Sequence, residues 1–358
     1  MKIFQIFKSF VFLTLSLITI LKCFFVRKKK AKLVILKPNR PNLTDSRLET
    51  YHKDNNSNYL HFVRGQNFIA GIKLFLRLKN IVFFNHIFNI LEFLQSIFGI
   101  KTNKIKKNYI FLLSKILKFL KIKEFYSIDD YRNIHTISEV CNLSGSNLII
   151  FQHGRISPNL TYQKTLKNLK FKEYFVWNNY FKNKLLLFNK DYKKKKITTL
   201  NKFSKIRNNK KNSKKFNLII IQEDVISNKT IIKLIQTITK LKDTKIYFKF
   251  RPNNLIDENL KQLLIKNRVK FFHQENIYKL FKKYQINYLL ASNSSLLLEC
   301  SFFSIFPILF YENKPILKDY IVDQVVFHSK IKNIDKKIIK VRNQGYKLSK
   351  IRKKVWIN

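Results

Sequence analysis

Three short polar clusters carry residue types suited to chemistry on a phosphorylated substrate, and each directly follows an apolar run. The first is Gln152-His153-Gly154-Arg155, after Leu148-Ile149-Ile150-Phe151. His153 has the side chain for a general base or for orienting a substrate hydroxyl, and Arg155 for holding an anion. Gly154 suits a tight turn or a close backbone approach. A histidine hydrogen-bonded in a structural turn is the equal alternative. The second cluster is Arg251-Pro252-Asn253, after KIYFKF. Proline fixes the exit from the strand and arginine fits a phosphate, against an ordinary turn with a solvated arginine. The third is Ser292-Asn293-Ser294-Ser295, followed by a helix carrying Glu299. Ser294 and Ser295 at a helix start suit a phosphate, and Glu299, one turn in, suits a ribose diol. A plain helix cap with a solvated Glu299 is the alternative, and it weakens when three such loops recur in order.

Other chemistry is poorly represented. The sequence has no GxGxxG, Walker A loop, HExxH or zinc spacing, so no metal site and no cofactor is expected. Asp129 and Asp130 read as a helix cap rather than a catalytic carboxylate pair. Sequons such as Asn142-Leu-Ser arise by chance in an Asn-rich chain.

The elements that must position these clusters follow from apolar spacing. KLVIL reads as a first strand, and residues 68–122 as one long helical section with apolar residues at helical intervals. Leu148–Phe151 and Tyr174–Trp177 are further strands. From residue 217 onward strands (NLIIIQ, KIYFKF, Val269–Phe272, Ile286–Ala291, Pro307–Tyr311) alternate with helices, the pattern of a parallel, doubly wound sheet. The domain reading is an apolar and basic membrane-associating segment at 1–30 and a Rossmann-like domain at 31–188. A Lys/Asn-rich linker at 189–216 leads to a second Rossmann-like domain at 217–330 and a basic tail at 331–358.

The first segment has an uncharged core from Ser9 to Leu21, short of a full span unless Lys8 and Lys22 snorkel. Arg27-Lys28-Lys29-Lys30 behind it outnumbers Lys2 and Lys8 in front. The positive-inside rule then leaves the body of the protein on the cytoplasmic side of the inner membrane, with the segment spanning or lying in the interface. A cleaved signal and a buried first helix are the rival readings.

Composition sets the outer bounds. The chain has 358 residues, 71 Lys+Arg against 21 Asp+Glu, and a net charge of +50. A hydrophobic fraction of 46% excludes a disordered basic tail, and the length allows two cores. Three widely spaced cysteines exclude a disulfide scaffold and read as reduced thiols. Only three alanines occur, while Lys, Asn, Ile and Phe abound, so A/T-rich coding explains part of the basic excess. The scarcity of acidic residues still points to phosphate-bearing partners, whether nucleic acid, an anionic membrane surface or a nucleotide-linked substrate, and composition alone does not choose among them. For want of a recognised motif no specific nucleic acid is expected.

Taken in order, KAKLVIL, IIFQHGR, YFVWNNYF, KFRPN and YLLASNSSLLLEC resemble glycosyltransferases of GT-B architecture from bacterial surface polysaccharide assembly. The sialyltransferase-like and CDP-glycerol glycerophosphotransferase-like enzymes are the relatives meant, and the likeness runs over roughly residues 30–325. It implies two Rossmann-like domains facing across a cleft, no obligate metal, and a nucleotide-activated sugar donor held by the C-terminal domain. The resemblance thereby makes 31–188 the acceptor domain and 217–330 the donor domain. The acceptor it implies is a surface polysaccharide or lipid-linked glycan. His153 and Gly154 match the family's His-Gly loop, with Arg155 after it, and Ser294, Ser295 and Glu299 its donor phosphate and ribose region. One departure is Arg251-Pro252 where relatives often have His-Pro. Arginine stabilises a leaving phosphate but cannot protonate it near pH 7, so Arg251 acts electrostatically or activity is altered. A nucleotide-sugar epimerase of the same fold is the nearest alternative. A nucleic-acid-binding protein and an inert membrane-associated scaffold are the non-enzymatic ones.

Overall fold

The computed structural model describes residues 3–26, 30–35, 59–64, 68–78, 80–98, 102–127, 134–152, 154, 156, 166, 169–187, 192–193, 196–200, 216–223, 226–251, 257–342 and 344–357. The chain forms two compact units. One comprises Met1–His153, Tyr162–Val176 and Leu186–Leu200, the other Gly154–Thr161, Trp177–Leu185 and Asn201–Asn358.

The first unit begins with α1 (Ile3–Val26), β1 (Lys30–Ile35), β2 (Tyr59–Arg64), α2 (Phe68–Leu78), β3 (Ile81–Val82), α3 (Phe84–Phe98) and α4 (Thr102–Phe119). It continues through β4 (Glu124–Ser127), α5 (Ile134–Ser144), β5 (Asn147–Phe151), β6 (Glu173–Val176), α6 (Asn179–Leu186) and β7 (Lys196–Thr199), with most of α6 belonging to the other unit. The strands form one parallel sheet in the order β3-β2-β1-β4-β5-β6-β7. Strands such as NLIIF are apolar on both faces because helices cover both, as a parallel sheet requires.

The second unit comprises β8 (Phe216–Ile221), α7 (Asn228–Ile238), β9 (Thr244–Lys249), α8 (Glu258–Lys266), β10 (Lys270–Phe272), α9 (Ile277–Lys283) and β11 (Tyr288–Ala291). After these come α10 (Leu296–Phe302), β12 (Phe306–Tyr311), α11 (Lys318–Val322), β13 (Phe327–Lys330), α12 (Ile334–Arg342) and α13 (Gly345–Arg352). Its parallel sheet runs β10-β9-β8-β11-β12-β13, the strand order of a dinucleotide-binding Rossmann domain. Helix starts here have the expected caps: Ser227, Asp257 and Asn276 each accept a backbone N–H. The two Rossmann-like α/β sheets and the apolar N-terminal helix expected from the sequence are present.

Several local readings change. The long helical section is three helices interrupted by β3. The strands β2, β4 and β13 were not anticipated, and neither was β7, which lies inside the stretch read as linker. β7 is held to β6 by its backbone ladder and by Thr198 Oγ1 donating to Glu173 at 2.6 Å, with Lys196 3.1 Å from the same carboxylate. Residues 331–357 are not a loose tail. Ile334, Ile338 and Val341 of α12, and Leu348, Ile351 and Val355 beyond, are buried, while Arg342 stacks 3.5 Å over the Phe216 ring. Asp129 and Asp130 lie outside the described residues.

Two contacts bind the peripheral helices into their units. In the second unit the buried Lys184 of α6 sits 3.3 Å from Asp319 of α11 and 2.5 Å from Asp323, which caps that helix's end, and Tyr180 donates to Asp323 at 2.7 Å. In the first, Phe12 of α1 packs 4.2 Å from Phe83 and 4.7 Å from His86, ring centre to ring centre. Gly71 of α2 faces that ring so closely that a Cβ there would lie 2.5 Å from Phe12 Cζ. Because the ring is held on its other sides, Gly71→Val is expected to lower stability by about 1–3 kcal/mol. Urea unfolding of the full chain measures this, and an unchanged midpoint would mean that α1 is not seated on α2.

Candidate functional site

Parallel strands deliver all their carboxyl ends to one edge of a sheet, and ligands of such sheets sit where the strand order reverses. In the second unit that point lies between β8 and β11, which pair directly, Leu218 opposite Tyr288. The chain leaves β8 as Gln222-Glu223 and leaves β11 as Ser292-Asn293-Ser294-Ser295. The crevice therefore joins two loops separated by about seventy residues of sequence, the length of the three strand–helix units that carry the chain from β8 to β11.

The geometry at this edge is specific. The carboxylate of Glu223, itself buried, accepts the backbone N–H of Ser292 and, at 2.8 Å, that of Asn293. Gln222 is also buried; its backbone N–H donates to Lys249 O at 3.0 Å, and its Oε1 accepts the Arg251 N–H at 3.1 Å. That bond fixes where the chain leaves β9 and presents the exposed Arg251 at the same edge. One strand further, the buried Lys249 donates to Phe250 O at 2.9 Å and His273 O at 2.7 Å, tying the exits of β9 and β10. The exits of β8, β9, β10 and β11 are thus cross-linked by side chains of Gln222, Glu223 and Lys249.

Glu299 stands behind this edge on α10 and is only 3% exposed. One of its oxygens accepts the Ser295 hydroxyl at 2.7 Å and the other accepts the Tyr278 hydroxyl. The Tyr278 ring stacks on Phe303 at 5.5 Å, which holds the phenol in place. Helix α10 is supported from the far end of the chain, where Trp356 Nε1 donates to Leu298 O and Ser301 Oγ at 3.1 and 3.0 Å. Ser294 Oγ accepts the Leu296 N–H at 3.2 Å.

The structure gathers Arg251, Ser294, Ser295 and Glu299 within one unit, on or behind the carboxyl edge of one sheet. Of the two readings of Glu299 the solvated one is set aside: the residue is buried and held by Tyr278 and Ser295. The first amides after β11, those of Ser292 and Asn293, are bonded to Glu223. His153 and Arg155 lie outside the described residues. Gly154 is described; its φ is not left-handed and a Cβ there would meet nothing within 4 Å, so a tight turn does not require glycine at this position.

Gln222, Glu223, Tyr278 and Trp356 were not singled out from the sequence. Glu223 left one signal, a carboxylate directly after NLIIIQ in a chain with few acidic residues. Removing it strands two N–H groups, one in the buried Ser292. Glu223→Ala is therefore expected to cost about 1–3 kcal/mol, and Glu223→Gln less, since an amide oxygen still accepts. Thermal unfolding of the two variants checks the order; equal midpoints for both and for the parent would show that the bond carries no weight.

No family model matches the sequence, and no curated protein matches it. Solved structures do match the fold. The chain superposes on MnaA of S. aureus, solved with UDP, with a TM-score of 0.58 and 7% identity over 92% of each chain. It superposes on MurG of Acinetobacter baumannii with a TM-score of 0.55 and 9% identity, over 92% of this chain and 95% of that one. A third match is the UDP-GlcNAc 2-epimerase of Neisseria meningitidis bound to UDP-GlcNAc. There the TM-score is 0.52 and the identity 14%, over 90% of this chain and 93% of that one. At such identities the likeness establishes the fold: two Rossmann-like units of GT-B type.

Proposed function

We propose that the chain is an enzyme acting on a nucleotide-activated sugar, and within that class a glycosyltransferase. In this reading it moves the sugar to a glycan or lipid-linked acceptor of the cell surface. The observation that carries the reading is the reversal point of the second sheet. Arg251, two serines and a buried carboxylate converge there, on a fold shared with proteins solved holding UDP or UDP-GlcNAc. Short hydroxyl side chains and a cation suit a diphosphate. Glu299, one turn into the helix that follows Ser294 and Ser295, is assigned to the donor's ribose, and Ser295 and Tyr278 hold its carboxylate in place.

The chemistry assigned to the residues is simple. The bond between the sugar carbon and the donor phosphate oxygen breaks, and the electron pair leaves with the nucleotide. Arg251 stabilises that growing negative charge without supplying a proton, since guanidinium stays protonated near neutral pH. The acceptor hydroxyl oxygen forms the new bond to the sugar, and its proton passes to His153. Arg155 and Gly154 are assigned to positioning substrate at that loop. Glu223 enters as a neighbour of the leaving phosphate. Its negative charge opposes the donor, so the crevice holds the nucleotide less tightly than its serines and arginine alone would.

The test is direct. The purified full chain, given UDP-, GDP-, CDP- and CMP-linked sugars in turn, is expected to bind one nucleotide class by calorimetry. Nucleotide release is expected only when a glycan acceptor is added. Arg251→Ala is expected to reduce turnover by about a hundredfold with binding largely kept. Glu223→Gln should tighten nucleotide binding rather than weaken it. Failure of every nucleotide to bind ends the proposal. The epimerase alternative has the shared fold with the Neisseria UDP-GlcNAc 2-epimerase in its favour. It would be chosen if a sugar isomer accumulates from donor alone, with no acceptor present.

A further inference from the structure

Helix α1 is built the wrong way round for water. Its inward face carries Lys8, Ser9, Phe12, Ser16, Thr19 and Cys23, all buried. Its outward face carries Phe4, Phe7, Leu17, Leu21, Phe24 and Phe25, all exposed, with Phe4 at 64% and Phe25 at 80%. A helix of a water-soluble domain places its most apolar stripe against the core. Here the polar and small residues face the protein and the large apolar ones face out. With Phe10, the five outward phenylalanines, at roughly 200 Å² per side chain, alone present on the order of 600 Å², already the largest apolar patch expected on a soluble monomer.

The inward face is fastened by specific bonds. Ser9 Oγ lies 3.1 Å from His86 Nδ1, and Ser16 Oγ accepts the Phe83 N–H at 2.9 Å. Phe12 fills the space over Gly71. These contacts fall along the middle of the helix and join it to α2, β3 and α3. β1 starts at Lys30, only a few residues past the end of α1 at Val26. Phe4–Val26, with mean hydropathy 2.2, is long and apolar enough to cross a bilayer. A crossing helix would nonetheless carry α2 and α3 into hydrocarbon beside it, and those helices expose Lys73, Asn89 and Glu92.

The charges on α1, α2 and α4 have one sign. Phe24 stacks on Phe119 of α4 at 4.6 Å, which extends the apolar surface onto that helix. The exposed side of α4 also carries Phe111, with Lys115 Nζ 5.1 Å from its ring centre, and Lys118; Lys22 is exposed on α1. The sequences of α1, α2 and α4 contain no aspartate or glutamate. Glu92 of the neighbouring α3 is the one exposed acid among the described residues of these four helices. A large apolar face whose helices α1, α2 and α4 carry lysines and no carboxylate matches an anionic lipid surface, into which the rings insert while ammonium groups meet the phosphates.

We propose that α1 lies in the plane of an anionic bilayer, its phenylalanine face inserted into one leaflet and its serine face docked on the N-terminal sheet unit, so that the chain is held on the membrane without crossing it. This stands on α1 and its neighbours and does not depend on the nucleotide-sugar reading.

The experiment uses the full chain. Purified protein is floated with vesicles of phosphatidylcholine alone or with added phosphatidylglycerol. Wild type is expected to float with the anionic vesicles and much less with the neutral ones. Phe7→Ser combined with Phe25→Ser should lower the floated fraction about tenfold at an unchanged unfolding midpoint, because neither ring packs in the core. In cells, tags on the two termini should be cut by protease from the same side of the membrane. Tags on opposite sides would overturn the proposal in favour of a span, and loss of the first residues from the mature chain in favour of a cleaved signal. Wild type that ignores vesicles and halves in mass in the double variant would overturn it in favour of a second copy covering the face.

Discussion

The nucleotide-sugar account depends on one constraint, that every described strand pair in the second sheet is parallel. Parallel pairing sends each carboxyl end to the same edge and leaves the backbone groups there without ladder partners. The chain meets that demand with side chains: Glu223 takes the amides after β11, Gln222 takes the amide after β9, and Lys249 takes two carbonyls at the β9 and β10 exits. The edge is consequently rigid, charged and polar before any ligand arrives. A site with pre-placed donors and acceptors does not have to reorganise when charge develops, which is the condition for electrostatic stabilisation of a leaving group.

The first unit packs its sheet and its first helix in two different ways. Its sheet is buried on both faces in the ordinary way, through clusters such as Tyr59, Tyr126, Ile149 and Phe151. Its first helix contributes only Phe12 among large rings to the interior, and otherwise offers hydroxyls that bond to α3 and its approach. Hydroxyl-bearing contacts between helices, with apolar residues outward, are how helices associate when the outer medium is hydrocarbon. The same chain thus buries large apolar residues in its sheets and mostly hydroxyl-bearing ones beneath α1.

Much of this was legible in the residues. Runs such as NLIIF, KIYFKF and YLLA marked strands because only a sheet covered on both sides tolerates them, and their alternation with helical spacing gave the doubly wound class. The missed elements share a cause. β7 has four residues, KITT, set among lysines and asparagines, and its stability comes from Glu173 across the sheet, which no local pattern reveals. The C-terminal helices keep their apolar residues at helical spacing, Ile334, Ile338 and Val341, but the basic excess masked that spacing. Glu223 and Tyr278 escaped notice because their partners, Ser292, Asn293 and Glu299, are brought to them only by the winding of the sheet. The +50 charge, the most conspicuous property of the sequence, says least about the site: only Arg251 and Lys249 among the described cations take part in its edge.

The most direct measurement of the central claim, that nucleotide binds at the reversal point of the second sheet, is amide hydrogen exchange of the full chain with and without saturating nucleotide sugar. The account expects slowed exchange at residues 222–223, 251 and 292–299, with the rest of that sheet unchanged. Protection confined to other residues, or none at a concentration where calorimetry reports saturation, would contradict it.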